Sequence, residues 1–568
     1  MEKGAFIMKN TRRFASVATA ALLAACVAVP MTSAFSASAA TAGTVTFTKA
    51  DTKDAATHTY KAYKIFSGTV DETGTLNNIQ WANTAKGADF LTALKADGTI
   101  GDSFKDCDTA AAVAAILGAQ EADSTLLQNF ATFAASQKDN LTLVSADAAE
   151  SIAVTEDGYY LFEDVTDLTD ATGAKTRYLV AQVDASAGLD ITVKSSLPSV
   201  EKKIKENTKA VGYGTDPTET QDYVGTNYND VADYNIGDAV PFKLIGTMPS
   251  TLDDYKTYKY AFHDTLGKEF TAPAKEDIKV TCDGVDVTAQ ATITVTDGSG
   301  TAASTVLVSF ADVKKLTGVT VTKDSIITVE YSAVLSKGAE IGLPGQQNEV
   351  YLSYSNNPNA GGEGETGNTP VDKVIAFTYE LDINKIDANT NATLIGAKFK
   401  LQAADGDHAD KWAKLSKNSD GNYTIDSWVD TEADATEFEN PSGNTFAIVG
   451  LDSGTYNLKE TAAPSGYKTP DKAFKVELTA TTKNDQDWDT FEANVALTAL
   501  DVKLDSAAGT TDLDKGTGTV TVGNSSGSTL PSTGGIGTTI FYVAGGILVA
   551  GAGVTLIAKK RMSKKEEA

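Results

Sequence analysis

Leu381-Asp382-Ile383-Asn384-Lys385-Ile386-Asp387 alternates apolar and polar residues along a single strand's length. In an extended strand every second side chain points to the same face, so Leu381, Ile383 and Lys385 point together. That face is apolar and therefore inward, which carries Lys385 into a core. Downstream, Val520-Thr521-Val522-Gly523-Asn524 has the same grammar, and Asn524 shares its face with Val520 and Val522. An inward lysine and an inward asparagine are costly unless something pairs with them.

Between these strands lies Tyr456-Asn457-Leu458-Lys459-Glu460-Thr461-Ala462-Ala463-Pro464-Ser465-Gly466-Tyr467. This run resembles the E-box of prealbumin-like, Cna B-type pilin domains, with Leu381–Asp387 as first strand and Val520–Asn524 as last. The resemblance implies an isopeptide bond between the Lys385 and Asn524 side chains, with Glu460 as catalyst. Desolvation favours a neutral amine nucleophile and a protonated carboxyl, the two forms that such a reaction needs.

A looser version lies upstream. Val200-Glu201-Lys202-Lys203-Ile204 opens a second region, and Lys202 shares its face with Val200 and Ile204. Asn348-Glu349-Val350-Tyr351-Leu352-Ser353-Tyr354-Ser355-Asn356-Asn357-Pro358 resembles the closing strand of fimbrial isopeptide-forming D2 domains. Lys202 comes early on its strand, so Asn348 is the expected partner in a parallel pairing, with Asn356 as the alternative. Tyr260-Ala261-Phe262-His263-Asp264-Thr265-Leu266 resembles the family's acidic strand and assigns the catalytic role to Asp264. A third region contains only an echo, Glu156-Asp157-Gly158-Tyr159-Tyr160-Leu161, and its closing strand Asp190-Ile191-Thr192-Val193 offers no inward asparagine. A turn before a strand is the reading there.

Further alternation at Val45–Thr48, Tyr159–Phe162 and Val350–Tyr354 makes the chain mainly β, built of half-buried antiparallel sheet. Asp108 to Gln137 is the exception: Ala-rich, with helical spacing, it reads as one or two inserted helices with Asp108 or Thr109 as N-cap. The expected fold is a rod of tandem immunoglobulin-like or prealbumin-like β-sandwich domains. Its divisions are a signal peptide over 1–39, a helix-bearing domain over 40–196 and a D2-type sandwich over 197–358. A linker over 359–372, a Cna B-type sandwich over 373–526 and a sorting region over 527–568 complete it.

Both ends are targeting segments. Lys9, Arg12 and Arg13 precede an apolar run from Phe14 to Val29, and Ala37-Ser38-Ala39 supplies small residues for cleavage. Met1 and Met8 both stand as starts, and Leu23-Ala24-Ala25-Cys26 looks like a lipoprotein box. At the other end Leu530-Pro531-Ser532-Thr533-Gly534 precedes an apolar span, Ile536 to Ala558, and the basic Lys559-Lys560-Arg561. The triple arrangement resembles the cell-wall sorting signal. It implies sortase cleavage between Thr533 and Gly534, leaving Thr533 as an acyl group for an amine to take.

The 568 residues carry a formal net charge of -27, which disfavours nucleic acid as a partner. Cys26, Cys107 and Cys282 are too few and too scattered for a disulfide framework. His58, His263 and His408 are dispersed, and Asp405, Asp407 and Asp410 lack EF-hand spacing, so no metal, no cofactor and no enzyme site are expected. The resemblance as a whole implies a secreted major pilin attached to cell-wall peptidoglycan. It would be joined to copies of itself by a class C pilus sortase and anchored by a housekeeping sortase. Minor pilins and a host or matrix ligand are further partners in such a fimbrium, which would support adhesion and biofilm formation. The acceptor amine is expected between the first two domains. Family members carry Tyr-Pro-Lys-Asn there, whereas this chain has Ile191-Thr192-Val193-Lys194-Ser195-Ser196-Leu197-Pro198, which leaves Lys194 without that context. The rival readings are a monomeric wall-anchored adhesin and a wall-anchored hydrolase.

Overall fold

A computed structural model describes residues 43–207, 227–298, 301–361, 364–419, 421–439, 445–483, 496–526 and 536–563. The chain is mainly β, with hydrophobic cores distributed along its length. The leader 1–39 and the sorting motif Leu530–Gly534 lie outside the described residues.

The N-terminal region has two sheets. Thr44–Lys49 is the centre of the smaller, pairing antiparallel with Ser151–Ala153 and parallel with Leu189–Val193. Thr59–Val70 is the centre of the larger, between Leu76–Trp81, Thr142–Ala149 and Gly158–Asp164. Four helices lie between Leu76–Trp81 and Thr142–Ala149: Gly87–Ala96, Gly101–Phe104, Ala110–Gly118 and Thr125–Ser136. The helical insert therefore begins before the expected 108–137. Phe90 and Leu94 sit one turn apart and are fully buried, and that stripe is the signal for the first helix. Thr109 caps Ala110–Gly118 by accepting from the Ala112 amide, and Ser124 caps the next helix in the same way. The helices bury Phe104, Val113, Leu117 and Phe130 against Phe66 and Leu161 of the larger sheet.

The middle region is a sandwich. One sheet contains Val200–Lys205, Ala239–Thr247, Ile326–Leu335 and Lys279–Cys282 in that order. The other contains Asp372–Phe377, Gln346–Ser355, Tyr260–Leu266, Ser304–Phe310 and Thr292–Thr296. Phe242, Leu244, Val329, Phe262, Val308 and Leu352 fill the space between. Two expectations change here. Val200–Lys205 and Gln346–Ser355 are in different sheets, so the expected parallel pairing of Lys202 and Asn348 gives way to a shared contact with Tyr331. The expected linker 359–372 is also partly sheet: Thr366–Asn368 pairs with Gln346–Ser355, and Asp372 opens the strand Asp372–Phe377. The apolar run Val374–Phe377 explains this, because all four residues are buried and cannot lie in an open tether.

The C-terminal region is one long sheet folded onto itself. Tyr379–Asp387 pairs antiparallel with Thr445–Leu451 and parallel with Thr517–Asn524. On the other limb, Gly454–Ala462 lies between Lys398–Ala403 and Phe474–Thr482. Beyond it, Ile536–Ser563 is a helix whose stretch Phe541–Lys560 is long and apolar enough to cross a membrane.

Candidate functional site

The first and last strands of the C-terminal domain run side by side with Lys385 opposite Val522 and Asp387 opposite Asn524. Alternation is visible in the burial itself: Leu381, Ile383 and Lys385 are sealed, as are Val520, Val522 and Asn524. Lys385 Nζ donates to the Val522 carbonyl at 3.1 Å. Asn524 Nδ2 donates to the Lys468 carbonyl at 3.0 Å, leaving Oδ1 without a partner. Glu460 arrives from the opposite limb on Gly454–Ala462, only 3% exposed, and neither carboxyl oxygen makes a hydrogen bond of good geometry.

Burial pushes the Lys385 ammonium down from its usual range, with the Glu460 charge opposing. Burial pushes the Glu460 carboxyl up, with Lys385 and the Asn524 amide partly offsetting it. Both shifts favour the neutral pair, an amine and a carboxylic acid facing a carboxamide. Tyr467 closes the arrangement: its hydroxyl donates to Asp387 Oδ2 at 2.7 Å, tying the turn after Glu460 to the first strand. Gly466 makes that turn with φ of 90°, a left-handed conformation suited to glycine.

The middle domain holds a second constellation. Lys202 is fully buried and its Nζ pairs with Asp264 Oδ2. The ammonium sits 5.4 Å from the Phe242 ring centroid and 5.7 Å from that of Tyr331. Asp264 and Asn348 come from adjacent strands, where Asp264 is opposite Val350 and Leu266 opposite Asn348. Their side chains thus lie diagonally on one face. Asn348 Nδ2 donates to the Tyr331 hydroxyl at 3.0 Å, and Tyr331 donates to Asp264 Oδ2 at 2.8 Å. Asp264 Oδ1 and Asn348 Oδ1 have no partner. Burial lowers the Lys202 pKa against the Asp264 charge, and burial raises that of Asp264 against Lys202.

Lys203 points elsewhere and pairs with Asp230 at 2.9 Å. Asn356, the alternative partner, donates to the Leu168 carbonyl at 2.8 Å and so joins the first domain to the second. The geometry brings Asn348 to this centre and leaves Asn356 away from it. Tyr331 is the member that sequence reasoning missed. Its signal was its parity with Ile327, Val329 and Ala333, which places a polar tip inside a core.

In the first domain Glu156 is largely exposed and pairs with Lys64 at 2.8 Å. Lys194 follows Leu189–Val193 directly, a third exposed, with Nζ 3.4 Å from Asp123 Oδ1. Its charge also reaches Asp254 of the second domain, which pairs with Arg177 at 2.9 Å. Lys194 therefore stands at the seam of the first two domains, partly exposed, with its amine beside Asp123. Cys107 and Cys282 are buried free thiols. Among the described residues no cluster of three His, Cys, Asp or Glu side chains is arranged to hold a metal ion.

Residues 379–490, which contain Lys385 and Glu460, match the SpaA family model, a prealbumin-like fold domain. The C-terminal domain is a SpaA-type domain. Residues 524–564 match the LPXTG cell wall anchor motif, a match that begins at Asn524, the last residue of the strand Thr517–Asn524. The chain is 26% identical over 284 residues to the trypsin-resistant surface T6 protein of Streptococcus pyogenes serotype M6, covering 41% of this chain and 48% of that protein. The chain thus spans about half the length of that curated relative. Among solved structures it is similar to the T6 backbone pilin of serotype M6 S. pyogenes. The TM-score is 0.48 and the identity 15%, over 86% of this chain and all of that one. It is also similar to the group B streptococcus pilus 2b backbone protein, with a TM-score of 0.37 and 26% identity over 53% of this chain and 97% of that one.

Proposed function

We propose that this chain is the repeating shaft subunit of a covalently polymerised pilus attached to cell-wall peptidoglycan, supporting adhesion and biofilm formation. The observation that carries the reading is the buried Lys385, Glu460 and Asn524 set at the end of parallel first and last strands, directly ahead of a cell wall anchor motif. A shaft under tension needs its outer strands tied together, and an amide between Lys385 and Asn524 ties them. The same chemistry at Lys202, Asp264 and Asn348 ties one sheet of the middle domain to the other. Each carboxyl accepts a proton from its lysine, the amine attacks the asparagine Cγ, and ammonia leaves. Proximity in a rigid core supplies most of the rate. The streptococcal T6 relative is described as a trypsin-resistant surface protein, a property that such cross-links would confer.

Polymerisation needs a second amine, accessible and on another copy. A class C pilus sortase holding Thr533 as an acyl group meets Lys194 at the seam of the first two domains, and a housekeeping sortase passes the finished polymer to peptidoglycan. Minor pilins and a host or matrix ligand are partners of the assembled fibre. The test is the pattern of wall extracts on a denaturing gel. Wild-type extracts should ladder to high mass, and Lys194→Ala and Lys194→Arg should each collapse the ladder while export and wall attachment persist. Arginine fails because guanidinium stays charged. A ladder in both variants overturns Lys194 as acceptor, and monomer alone in the wild type makes the chain a monomeric wall-anchored adhesin.

A further inference from the structure

The middle-domain centre holds a hydroxyl where the C-terminal one shows none. In the SpaA-type domain the carboxyl faces its asparagine with nothing between. In the middle domain the Tyr331 hydroxyl stands between Asp264 and Asn348 and also touches Lys202, whose Nζ donates to it at 3.3 Å. A phenol oxygen offers one donor site and two acceptor sites. All three are used here, each on a different member of the constellation: the proton points to Asp264, and Lys202 and Asn348 donate to the oxygen. The atom of Asn348 that contacts Tyr331 is Nδ2, the nitrogen that must depart.

We propose that Tyr331 is a catalytic residue of the middle-domain reaction, the relay that carries a proton from Asp264 to the leaving nitrogen of Asn348. The proposal rests on the isopeptide reading given above. In the first step Asp264 takes a proton from the Lys202 ammonium, leaving a neutral amine and a neutral acid. The amine lone pair adds to Asn348 Cγ. The Cγ–Nδ2 bond then breaks as Tyr331 gives its hydroxyl proton to Nδ2 and takes the proton of Asp264. Ammonia departs, and the surplus proton on the Lys202 nitrogen returns to Asp264. One C–N bond forms, one breaks, charge is conserved, and Tyr331 ends as it began. Donation to Nδ2 runs ahead of uptake from Asp264, so the oxygen gains partial negative charge but never the full charge that such a core strongly disfavours.

The ring itself packs against Phe242 with centroids 5.5 Å apart, so phenylalanine keeps the packing and loses only the hydroxyl. The full chain, purified in detergent after pulse labelling, is followed by peptide mapping for a Lys202–Asn348 cross-link and, in the same molecules, a Lys385–Asn524 cross-link. Tyr331→Phe should slow the first by about a hundredfold, the usual loss for a general acid, and leave the second at its wild-type rate. Tyr331→3-fluorotyrosine, which keeps the hydroxyl and sharpens its acidity, should restore bonding. Across mono-, di- and trifluorotyrosine the rate should follow that acidity, and this series decides the matter if the phenylalanine variant fails to fold. A wild-type rate in Tyr331→Phe, or a rate indifferent to acidity across the series, overturns the relay. Absence of the Lys202–Asn348 link from the wild type instead overturns the isopeptide reading of this domain, and the relay falls with it.

Discussion

Glu460→Gln changes one oxygen to nitrogen and almost nothing in volume, so it isolates what the carboxyl does. Without an acid to take and return a proton, Lys385 and Asn524 should remain separate side chains, and the chain should keep one ammonia that the wild type loses. The cost follows from the topology. The proposed bond would join the first strand to the last, which run side by side, and close nearly the whole SpaA-type domain into one loop. Restricting the unfolded chain across a loop longer than a hundred residues is worth about 5 kcal/mol in the chain-entropy model. For a domain of this size each kcal/mol moves the transition by roughly 2–4 °C, so the transition should fall by about 10–20 °C. Intact-mass spectrometry reads the ammonia, and scanning calorimetry reads the transition. A variant that still shows the ammonia deficit relative to its own sequence refutes Glu460 as catalyst. A retained ammonia with an unmoved transition refutes the loop-closure argument.

Three further outcomes are expected. Asp264→Asn should retain one ammonia in the middle domain while the SpaA-type domain still cross-links, read by peptide mapping. His58 is gripped by Asp54 at 3.1 Å and Asp164 at 2.7 Å; burial lowers its pKa, but the two carboxylates outweigh this and raise it from 6.5 to about 9. A raised histidine contributes its stability in full below about 6.5, and that stability disappears as pH rises through about 9. The first domain should therefore melt earlier at alkaline pH, and His58→Gln should flatten that dependence in calorimetry. Asp233 and Asp452 are sealed where the middle and C-terminal domains meet, and burial raises both carboxyls above their usual 3.8. Such groups favour the fold when protonated and cost stability as pH rises past 3.8, so Asp452→Asn should raise the melting transition at neutral pH.

Much of the site was legible because strand parity is local. Leu381, Ile383 and Lys385 alternate in the sequence and in burial alike, and Asn524 follows Val520 and Val522 by the same rule. Lys202 was separable from Lys203 on parity alone, and the two indeed face different carboxylates. Parity says which face a side chain takes but not which sheet its strand joins, because strand neighbours are chosen by contacts distant in sequence. That is why Val200–Lys205 was expected beside Gln346–Ser355 and instead lies in a different sheet. It is also why residues 373–377, assigned to the C-terminal sandwich, were not legible as part of a strand between Val231–Asp233 and Gln346–Ser355 in the middle domain. Tyr331 escaped because tyrosine is ordinary in strands, and only the three partners around its oxygen mark it out. The first helix escaped because a stripe of two residues, Phe90 and Leu94, is a weak signal in ten residues.

In the proposed polymer, the C-terminal anchor of one copy joins the next through the seam of its first two domains. Tandem mass spectrometry of digested high-mass wall material tests it most directly. A branched peptide in which the Thr533 carbonyl is bonded to Lys194 Nζ is the expected result. Thr533 found only on peptidoglycan peptides, with Lys194 always free, would contradict it.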